Sequence, residues 1–546
     1  MKIFFLLLLS TFLFAKMQET CYTVQLKSFK LKKNSTYNFE SLNYPDSCQL
    51  IKIKSLYTVR CGCFTRYSEA KREQKELSTS YHDTMIVKTY KYRFKKKQLS
   101  KAKEPKQIKI PKENIDIPNA VEMQTLQTQT KSVKTETLSD EVAEIADEST
   151  FMDNMSYRGD IDWITQSYLI APDDKNPQNI TTAVNLEATY KKDALRIHTK
   201  IRLQQDLNDL ESGAKDTHRS YARIDELYAQ YEYDEGQSLI GKSLRFWGAL
   251  EVRNIADVFN PYDLQADPFY KSKLGVINAE YTKYTQSGEL SFIVQLYEQA
   301  REMSAYPYVY YYFPQSIKYT KDLKTQNGQY RPNIYVKYSD SLDSEYALDY
   351  NIIFQNGYDS QRYYTTKLTA NSEIETNEHA YLVNKFITYD TLVIGATLYK
   401  LEAIFTDVLN NNEISDYLHI GLGLEHTIPQ IYKEADLGLL AEYYNYTTLE
   451  SSKRNDLQLF EVFQNDLFLG LRYSFNEGDD STLIGGGIFD LDYNEDIYYL
   501  EYNTRIADTY KINFDYRYIE PSANKSTVFN LMGRHQRISL KVGYYF

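Results

Sequence analysis

Long apolar runs are the first thing this sequence lacks. No stretch beyond its first residues approaches the ~18 consecutive apolar residues of a membrane-spanning helix, and its mean hydropathy is −0.55. A helical membrane protein is therefore excluded. The one strongly apolar run, residues 3–14, is shorter than a span, follows Lys2 and ends before Ala15. Residues 1–15 are therefore expected to be a secretory signal peptide.

Cysteine is absent after residue 63. All four cysteines lie close to the N-terminus, at Cys21, Cys48, Cys61 and Cys63. Behind a signal peptide, an even number of cysteines is typical of a disulfide framework, and the three possible connectivities stay open. A zinc site is the alternative, but the spacings contain no C-x-x-C pair. We predict disulfides, no metal and no cofactor.

Tryptophan is rare, with two residues, whereas the chain has 52 Tyr and 25 Phe. The tyrosine ring is apolar and its hydroxyl is polar, so tyrosine suits a surface where hydrocarbon meets water. This composition favours a protein in contact with lipid. Because tyrosine also favours strands in general, a soluble tyrosine-rich β-protein is the alternative.

Clustered cations are missing from the long C-terminal part. Residues 151–546 contain 37 Lys and Arg against 57 Asp and Glu, a net charge of −20, whereas the rest of the chain is net +9. Phosphate binding needs clustered cations, so nucleic acid is excluded as the main partner. An acidic balance fits loops at a cell surface.

Catalytic motifs are missing as well. None of the seven histidines stands in an H-E-x-x-H, G-x-S-x-G or similar frame, and Gly485-Gly486-Gly487 has no Lys or Ser/Thr partner for phosphate. His198 and His419 fall on polar faces of alternating segments, where we interpret them as pore-lining residues. The sequence predicts no enzyme.

Aromatic residues are absent between Phe94 and Phe151. This segment is basic and dotted with proline at first, and then rich in Thr, Gln, Ser and Glu. Such a composition cannot bury enough apolar surface to fold. Residues 95–153 are therefore predicted to be a disordered linker that acts as a tether across the periplasm, with a partly ordered extension lying on the following domain as the alternative.

The N-terminal part shows the pattern of a small α/β domain. Residues 22–26, 48–53, 56–59 and 84–90 are predicted strands, and the polar segment 68–77 carries Glu and Lys at helical spacings. YTVQLKSF and the later LYTVRCGCFTRYSEAKREQKEL resemble the SPOR domain. The matching residues are Tyr22, Val24, Gln25, Phe29, Tyr57, Val59, Gly62, Phe64 and Ala70.

The SPOR resemblance implies a ferredoxin-like domain over residues 16–94 that binds peptidoglycan glycan strands lacking stem peptides. Two features depart from the SPOR pattern: Lys27 replaces a small turn residue, and residues 30–47 show no clear first helix. A domain that caps or scaffolds and binds nothing is the alternative.

From residue 154 onward the sequence alternates with a period of two in segments of about ten residues. In residues 194–204, 417–425, 512–518 and 538–546, one face is almost wholly apolar and the other is largely polar. Each such strand separates two environments. Together with the signal peptide, about 18 to 20 such segments predict an all-β transmembrane barrel over residues 154–546 rather than a soluble sandwich.

Our strand count favours 18 antiparallel strands, with 16 to 20 within its error. A barrel of this size is too wide for side chains to fill and leaves an aqueous lumen. The terminal Phe546, which ends an aromatic strand, resembles the signal read by the barrel-assembly machinery of the outer membrane. The expected partners are outer-membrane lipid, this machinery and small hydrophilic solutes.

The longest irregular stretch, residues 247–270, is the best candidate for a constriction. Its R-x-W-G and N-x-x-D-x-x-N-P-x-D segments resemble a stretch of alginate-export-type, substrate-specific porins, with matches at Arg245, Trp247, Gly248, Asn254, Asp257, Asn260, Pro261 and Asp263. The resemblance implies that this loop folds inward, whereas an ordinary surface loop is the alternative. The constriction candidates are Arg253, Asn254, Asp257, Asn260 and Asp263.

A second irregular stretch, residues 305–314, packs six aromatic residues into ten. A surface cluster or the edge of the interfacial girdle is the favoured interpretation, with a stacking track for sugars as the alternative.

Pore-lining candidates also segregate by sign along the chain. The basic ones are Arg196, Lys200, Arg202, Arg219, Arg223 and Arg245, and the acidic ones are Asp436, Glu442, Glu501 and Asp515.

Opposite charges facing each other across a pore would set up a transverse field and favour anionic solutes such as sugar acids. Charges without selectivity are the alternative. The sequence therefore predicts a passive porin-type channel of the outer membrane, with a periplasmic domain that binds peptidoglycan. A structural protein that ties the membrane to the wall without significant transport is the second reading.

Overall fold

The computed structural model describes most of the chain from Met155 onward and the strands and helix of the N-terminal domain. The described residues are 20–29, 45, 47–53, 56–64, 67–78, 84–90, 154–210, 216–269, 272–311, 313–343, 346–450, 453, 461–476, 480–507, 509–523 and 527–546. The predicted signal peptide and the predicted linker fall on residues 1–15 and 95–153, which lie outside them, as does nearly all of the region expected to hold a first N-terminal helix.

The N-terminal domain is one antiparallel sheet with a helix packed on it. Its strands are β1 (Thr20–Phe29), β2 (Cys48–Ile53), β3 (Leu56–Phe64) and β4 (Met85–Tyr90), in the order β2-β3-β1-β4, and α1 spans Tyr67–Ser78 between β3 and β4. This strand order is that of a ferredoxin-like sheet. The structure joins Cys21 to Cys63 and Cys48 to Cys61, which is one of the three connectivities left open by the sequence.

The remaining strands follow one another with few helices. They are β5 (Met155–Ile170), β6 (Gln178–Lys192), β7 (Leu195–Asp206), β8 (Tyr221–Tyr233), β9 (Gly236–Ser243), β10 (Val276–Tyr284), β11 (Gly288–Gln295), β12 (Ile317–Thr325), β13 (Asn333–Asp343), β14 (Ala347–Tyr358), β15 (Tyr363–Leu368), β16 (Ile374–Ala380), β17 (Leu382–Ile394), β18 (Thr397–Leu409), β19 (Tyr417–Tyr432), β20 (Ala435–Thr448), β21 (Asn465–Ser474), β22 (Thr482–Asp490), β23 (Asp496–Ile506), β24 (Tyr510–Glu520) and β25 (His535–Tyr545). A short 3-10 helix, Leu207–Leu210, follows β7, and α2 (Val528–Met532) precedes β25.

Eighteen of these strands close into a barrel, which confirms the predicted fold class and strand number. Neighbours along the chain pair antiparallel, and the barrel closes where β25 pairs with β5, for example Ile538 with Ser167. Three strands stand apart from the wall: β12, β16 and β15 form a small separate sheet within the connections that follow β11 and β14.

The outer surface of the barrel is apolar because the two-residue alternation points one side chain of each pair outward. Phe405, Leu422, Leu471 and Leu500 lie on four strands of one side of the barrel, β18, β19, β21 and β23, and are all more than 40 % exposed. Large apolar side chains exposed around a closed barrel are stable only against hydrocarbon. Within the part of the chain that the structure describes, no helix has the length and apolarity required to cross a bilayer.

The two ends of the barrel differ. At one end, tight turns such as residues 193–194, 234–235 and 395–396 join the strands, whereas the other end carries connections of many residues. We call residues 244–275, between β9 and β10, loop A, and residues 296–332, between β11 and β13, loop B. Bacterial barrels have short periplasmic turns and longer external loops, so loops A and B start from the external end.

Candidate channel constriction

Loop A has its two ends fastened to each other by Asn260. The amide of this side chain donates to the carbonyl oxygens of Ser243 and Leu274, both at 3.0 Å, and its oxygen accepts from the backbone N–H of Arg245 at 2.8 Å. Asn260 is buried. A single amide therefore closes the base of the loop and replaces the backbone pairing that ends with β9 and β10.

A buried ion pair supports the same base. Asp257 accepts a hydrogen bond from the backbone N–H of Trp247 at 3.0 Å and pairs with the ammonium of Lys273, which also donates to the carbonyl of Arg245 at 2.7 Å. Burial raises the pKa of the Asp257 carboxyl, although Lys273 acts in the opposite direction. Both partners are buried, so the pair joins the two sides of loop A near its base.

Two carboxylates on distant strands hold the middle of loop A. Glu402 on β18 accepts from the backbone N–H groups of Ala249 at 2.6 Å, Leu250 at 2.9 Å and Ala256 at 2.8 Å. Gly248, with φ of +140°, lets the chain pass close to this carboxylate, because a Cβ there would lie 2.8 Å from Glu402 Oε1. The loop therefore reaches the wall formed by β18.

The next residues of the loop are held by β20. Glu442 accepts from the backbone N–H of Glu251 at 2.6 Å and of Val252 at 3.0 Å, and the hydroxyl of Tyr444 accepts from Arg253 N–H at 3.1 Å. The Tyr444 hydroxyl donates to Glu442 at 2.6 Å. Charged acceptors make the stronger hydrogen bonds, so the two carboxylates hold the loop firmly. We call Glu402, Glu442 and Tyr444 the loop A latch.

Apolar packing completes the attachment of loop A. Trp247, Val258 and Phe259 pack in one buried cluster with inward-facing residues of the wall, among them Ile353 and Ile404. The Trp247 and Phe259 ring centroids lie 5.4 Å apart. These wall positions are apolar although they face the lumen, because the loop covers them. Loop A therefore narrows the barrel from inside.

The aromatic segment 305–314 belongs to loop B and is largely buried, so its interpretation as a surface cluster or part of the girdle is wrong. Tyr308 and Val309 are fully buried, and Tyr310 is 3 % exposed. The Arg219 guanidinium lies 4.0 Å from the ring centroid of Tyr308, and Arg537 donates to the Tyr310 hydroxyl at 2.9 Å. The segment is neither a surface cluster nor a track open to sugars, because these rings fill the interior beside the wall.

A cavity of about 740 Å³ remains between loop A and the inner faces of β21, β22, β23 and β24. The short helix α2, residues 360–362 and 461–463, and side chains of β17, β18 and β19, among them His419, also line it. Small-molecule pockets typically measure about 300–1,000 Å³. The charged side chains on its wall are Glu251, Arg253, Asp257, Asp263, Arg301, Arg362, Lys385, Glu461, Arg472, Glu501 and Arg517.

Each cation on this wall has a carboxylate partner. The pairs are Arg253 with Glu461 at 3.4 Å, Arg301 with Glu378 at 3.8 Å, Arg362 with Glu298, Lys385 with Asp359 at 2.6 Å, Arg472 with Glu251 at 2.6 Å, and Arg517 with Asp515 at 3.0 Å. The wall of the cavity is therefore rich in charged groups, but its charges are balanced locally.

All five predicted constriction residues, Arg253, Asn254, Asp257, Asn260 and Asp263, line this cavity, whereas of the ten predicted pore-lining charges only Glu501 does so. Most of the predicted basic residues have an acidic neighbour. Lys200 pairs with Glu187 at 3.1 Å, Arg219 with Asp206 at 2.8 Å, Arg223 with Asp225 at 2.6 Å and with Asp263 at 2.9 Å, and Arg245 with Glu280.

Arg196 lies at the start of β7, and Arg202 donates to Asn185 at 3.0 Å and to Gln204 at 2.7 Å. The acidic candidates are equally engaged. Asp436 accepts from the backbone N–H of Gln430 near the end of β19, and Glu442 holds loop A. Asp515 is buried against two arginines, and Glu501 accepts from Asn503 and Asn513. Acids thus lie directly beside the cations of the basic arc.

Sequence analysis interpreted His419 as a pore-lining residue but missed Glu402, Tyr444 and Glu461 as functional residues. The alternation in β18 does place Glu402 on the inward face, beside the apolar Ile404. A single carboxylate among inward apolar residues indicates that a hydrogen-bonding partner covers it, because a buried charge without a partner is costly. The signal for the others was not local, because their partners come from loop A, which is distant in sequence.

The fold and the latched loop define a class: a closed 18-stranded membrane-spanning β-barrel whose lumen is narrowed by an inward loop. No protein-family model matches the sequence, and comparison with curated proteins gave no match. Among the described residues, no cluster of His, Cys, Asp and Glu is arranged to hold a metal ion.

Solved structures provide distant likenesses. OccK5 (OpdH) of Pseudomonas aeruginosa matches with a TM-score of 0.43 at 10 % identity, over 72 % of this chain and 99 % of its own. Wzi of Escherichia coli, an outer-membrane protein involved in group 1 capsule assembly, matches with 0.42 at 9 %, over 72 % and 84 %. OprB of Pseudomonas putida gives 0.37 at 9 %, over 73 % and 96 %. Similarity this low transfers no residue role, solute or partner.

Proposed function

We propose that this protein is a passive channel of the outer membrane for small hydrophilic solutes, and that solutes pass between loop A and β21–β24. The observation that carries the proposal is the cavity of about 740 Å³, lined by charged side chains, inside a barrel with an apolar outer surface. A lumen of this kind supports diffusion because a barrel of this diameter is not filled by its own wall side chains.

Thiol blocking in planar bilayers tests this route directly. Thr482 on β22 lines the cavity, whereas the next residue, Leu483, alternates to the other face. The described cysteines are all disulfide-bonded, so an introduced cysteine gives a specific target. We expect a charged thiol reagent to reduce the current of Thr482→Cys and to leave Leu483→Cys unchanged. A purified, folded barrel without ion conductance would refute the channel.

An anionic or sugar-acid solute is the finer part of the proposal. It is supported by the cations on the cavity wall and by Arg196 and Arg202, for which the structure shows no ion pair among the described residues. Against it stand the carboxylate partners of the wall cations. The reversal potential in a gradient of KCl distinguishes the two outcomes. An anion-selective pore shifts the reversal potential toward the equilibrium potential of chloride, whereas an unselective pore leaves it near zero.

The N-terminal domain extends the proposal to the cell wall. Its ferredoxin-like strand order and the SPOR-like residues support binding to peptidoglycan glycan strands. Lys71 on α1 pairs with Glu232 at 2.8 Å, beside the tight turn after β8, which supports a periplasmic position. Co-sedimentation of the full chain with amidase-treated sacculi is expected to exceed that of a chain without residues 16–150.

The second candidate is a structural protein that ties the membrane to the wall. The same pair of measurements separates it from a channel. Binding to sacculi without conductance leaves only the tethering role, whereas conductance that persists without residues 16–150 assigns transport to the barrel alone.

A further inference from the structure

Five polar side chains meet beside the cavity, on the side where loop A faces the wall. Glu461 Oε2 accepts from Arg253 Nη2 at 3.4 Å and from Gln361 Nε2 at 3.3 Å. The hydroxyl of Tyr446 donates to Gln361 Oε1 at 3.3 Å, and the ring of His419 lies edge-on to Tyr446 with centroids 5.3 Å apart. The cluster joins loop A, two other loops and the strands β19 and β20.

Three polar atoms of this cluster have no hydrogen-bond partner among the described residues. They are Arg253 Nε, His419 Nε2 and Glu461 Oε1. His419 is 3 % exposed and Glu461 is 6 % exposed, and both line the cavity. Buried polar atoms are nearly always paired, so a donor, an acceptor and an imidazole nitrogen together indicate a place where a polar ligand supplies the partners.

The charges around these atoms are balanced. Arg253 is paired with Glu461, and Lys385 is paired with Asp359, which also accepts from the hydroxyl of Tyr417 at 2.9 Å. An anion entering here has to compete with Glu461 for the guanidinium, and a cation has to compete with Arg253 for the carboxylate. The cluster can therefore both donate and accept hydrogen bonds, but it has no unpaired charge that would balance the charge of an ion.

Aromatic rings lie beside the polar atoms. The Arg253 guanidinium is 5.0 Å from the ring centroid of Tyr262, and Phe269 and Phe463 also line the cavity. A ligand that fits this wall has an apolar face of C–H groups and a rim of groups that both donate and accept. Hydroxyl groups on a ring have this property, since each is one donor and an acceptor.

We infer that Arg253, His419 and Glu461 form a binding subsite for neutral polyhydroxylated solutes, such as a monosaccharide. This hydroxyl subsite rests on the proposed channel function and assigns a neutral solute in place of an anionic one, because the cations beside it are already paired with carboxylates. In it, one hydroxyl of the solute donates to Glu461 Oε1, another accepts from Arg253 Nε, and His419 Nε2 contacts a third. The solute ring packs on the aromatic wall.

Single-channel recording of the full chain with glucose tests the subsite. Glucose is expected to reduce the ion current in a saturable manner that gives an apparent dissociation constant. His419→Phe retains an aromatic ring and removes the ring nitrogens, so that constant should rise about three- to tenfold. The matched control is His426→Phe on the same strand, whose ring contacts Thr397 rather than the cavity and whose glucose block should match the wild type.

Glu461→Gln provides a second variant, because it removes the charged acceptor and keeps the shape. It is expected to weaken glucose block to a similar extent. Open channels with no saturable glucose block, or block by glucuronate far stronger than by glucose, would overturn the subsite and leave the channel standing. Absence of any current would instead remove the proposed function, so the two failures are distinguishable.

Discussion

The Glu402 carboxylate on β18 accepts a hydrogen bond from the backbone N–H of Leu250 in loop A at 2.9 Å. Loop A leaves the wall at β9 and returns at β10, and four strands separate β10 from β18 in the closed sheet. This contact therefore crosses the lumen. It fixes the middle of loop A inside the barrel, because the acceptor is a carboxylate that belongs to another part of the wall.

Glu402→Gln should release the middle of loop A. The amide offers one oxygen in place of two, and its NH₂ group faces backbone N–H groups that need an acceptor. Hydrogen bonds to charged groups contribute about 1.5–3 kcal/mol each, so loop A should detach locally more often. We expect a larger and noisier single-channel conductance than in the wild type.

Glu235→Gln is the control for this prediction, since Glu235 is exposed in a tight turn at the opposite end of the barrel. Its conductance should equal that of the wild type. An unchanged conductance in Glu402→Gln would show that the latch does not set the width of the channel.

Leu422→Arg tests the lipid-facing surface. Leu422 is 48 % exposed in the middle of β19, and an arginine on the lipid side of a barrel costs about 2–4 kcal/mol at the bilayer midplane. The variant should unfold at lower urea concentration in phospholipid bilayers. Thr391→Arg, on the inward face of β17, is expected to change the midpoint little, and equal losses in the two variants would contradict the assignment of faces.

We expect folding stability to depend on pH through Lys175, which lies in the connection between β5 and β6. Burial lowers its pKa from 10.5 to about 8, and its ammonium donates to the carbonyl of Tyr311 at 2.8 Å. The unfolded chain keeps the higher pKa and binds more protons between pH 8 and 10.5, so folding stability should rise with pH across this window.

The stability of wild type relative to Lys175→Gln should therefore increase from pH 7 to pH 10, as measured by urea unfolding. Lys318→Gln, at an exposed position, should show the same difference from wild type at both pH values. A difference for Lys175→Gln that stays constant would mean that this lysine titrates normally.

The two disulfides should contribute unequally. Cys21 and Cys63 are 42 residues apart in sequence, whereas Cys48 and Cys61 are 13 apart. Closing the longer loop removes more entropy from the unfolded chain, by about 1 kcal/mol in the loop-entropy model. Proteolysis of the N-terminal domain should therefore be faster in Cys21→Ala/Cys63→Ala than in Cys48→Ala/Cys61→Ala. The reverse order would show that strain or packing outweighs loop entropy.

Alternation was enough to predict the wall of the barrel. In β19 the apolar Leu422 and the polar Glu425 obey the two-residue period, and this period fixes which side meets lipid in every strand. The strand number followed from counting such segments. The strands and the helix of the N-terminal domain were also visible locally, because their signals extend over a few residues.

The charges of the lumen were not predictable in the same way. Arg223 was a candidate for a free basic residue, yet Asp225 and Asp263 neutralise it. Asp225 is close in sequence, but Asp263 comes from loop A. The sign pattern along the chain says nothing about such partners, since the pairing depends on which loop enters the barrel.

The sequence by itself determined that the chain forms a closed barrel with an apolar exterior, because strand alternation is a local property repeated along the chain. Only the tertiary structure decided where the lumen narrows and which atoms face a solute. Loop A has no regular period, and its path depends on Glu402 and Glu442, which are about 150 and 190 residues away from their backbone partners.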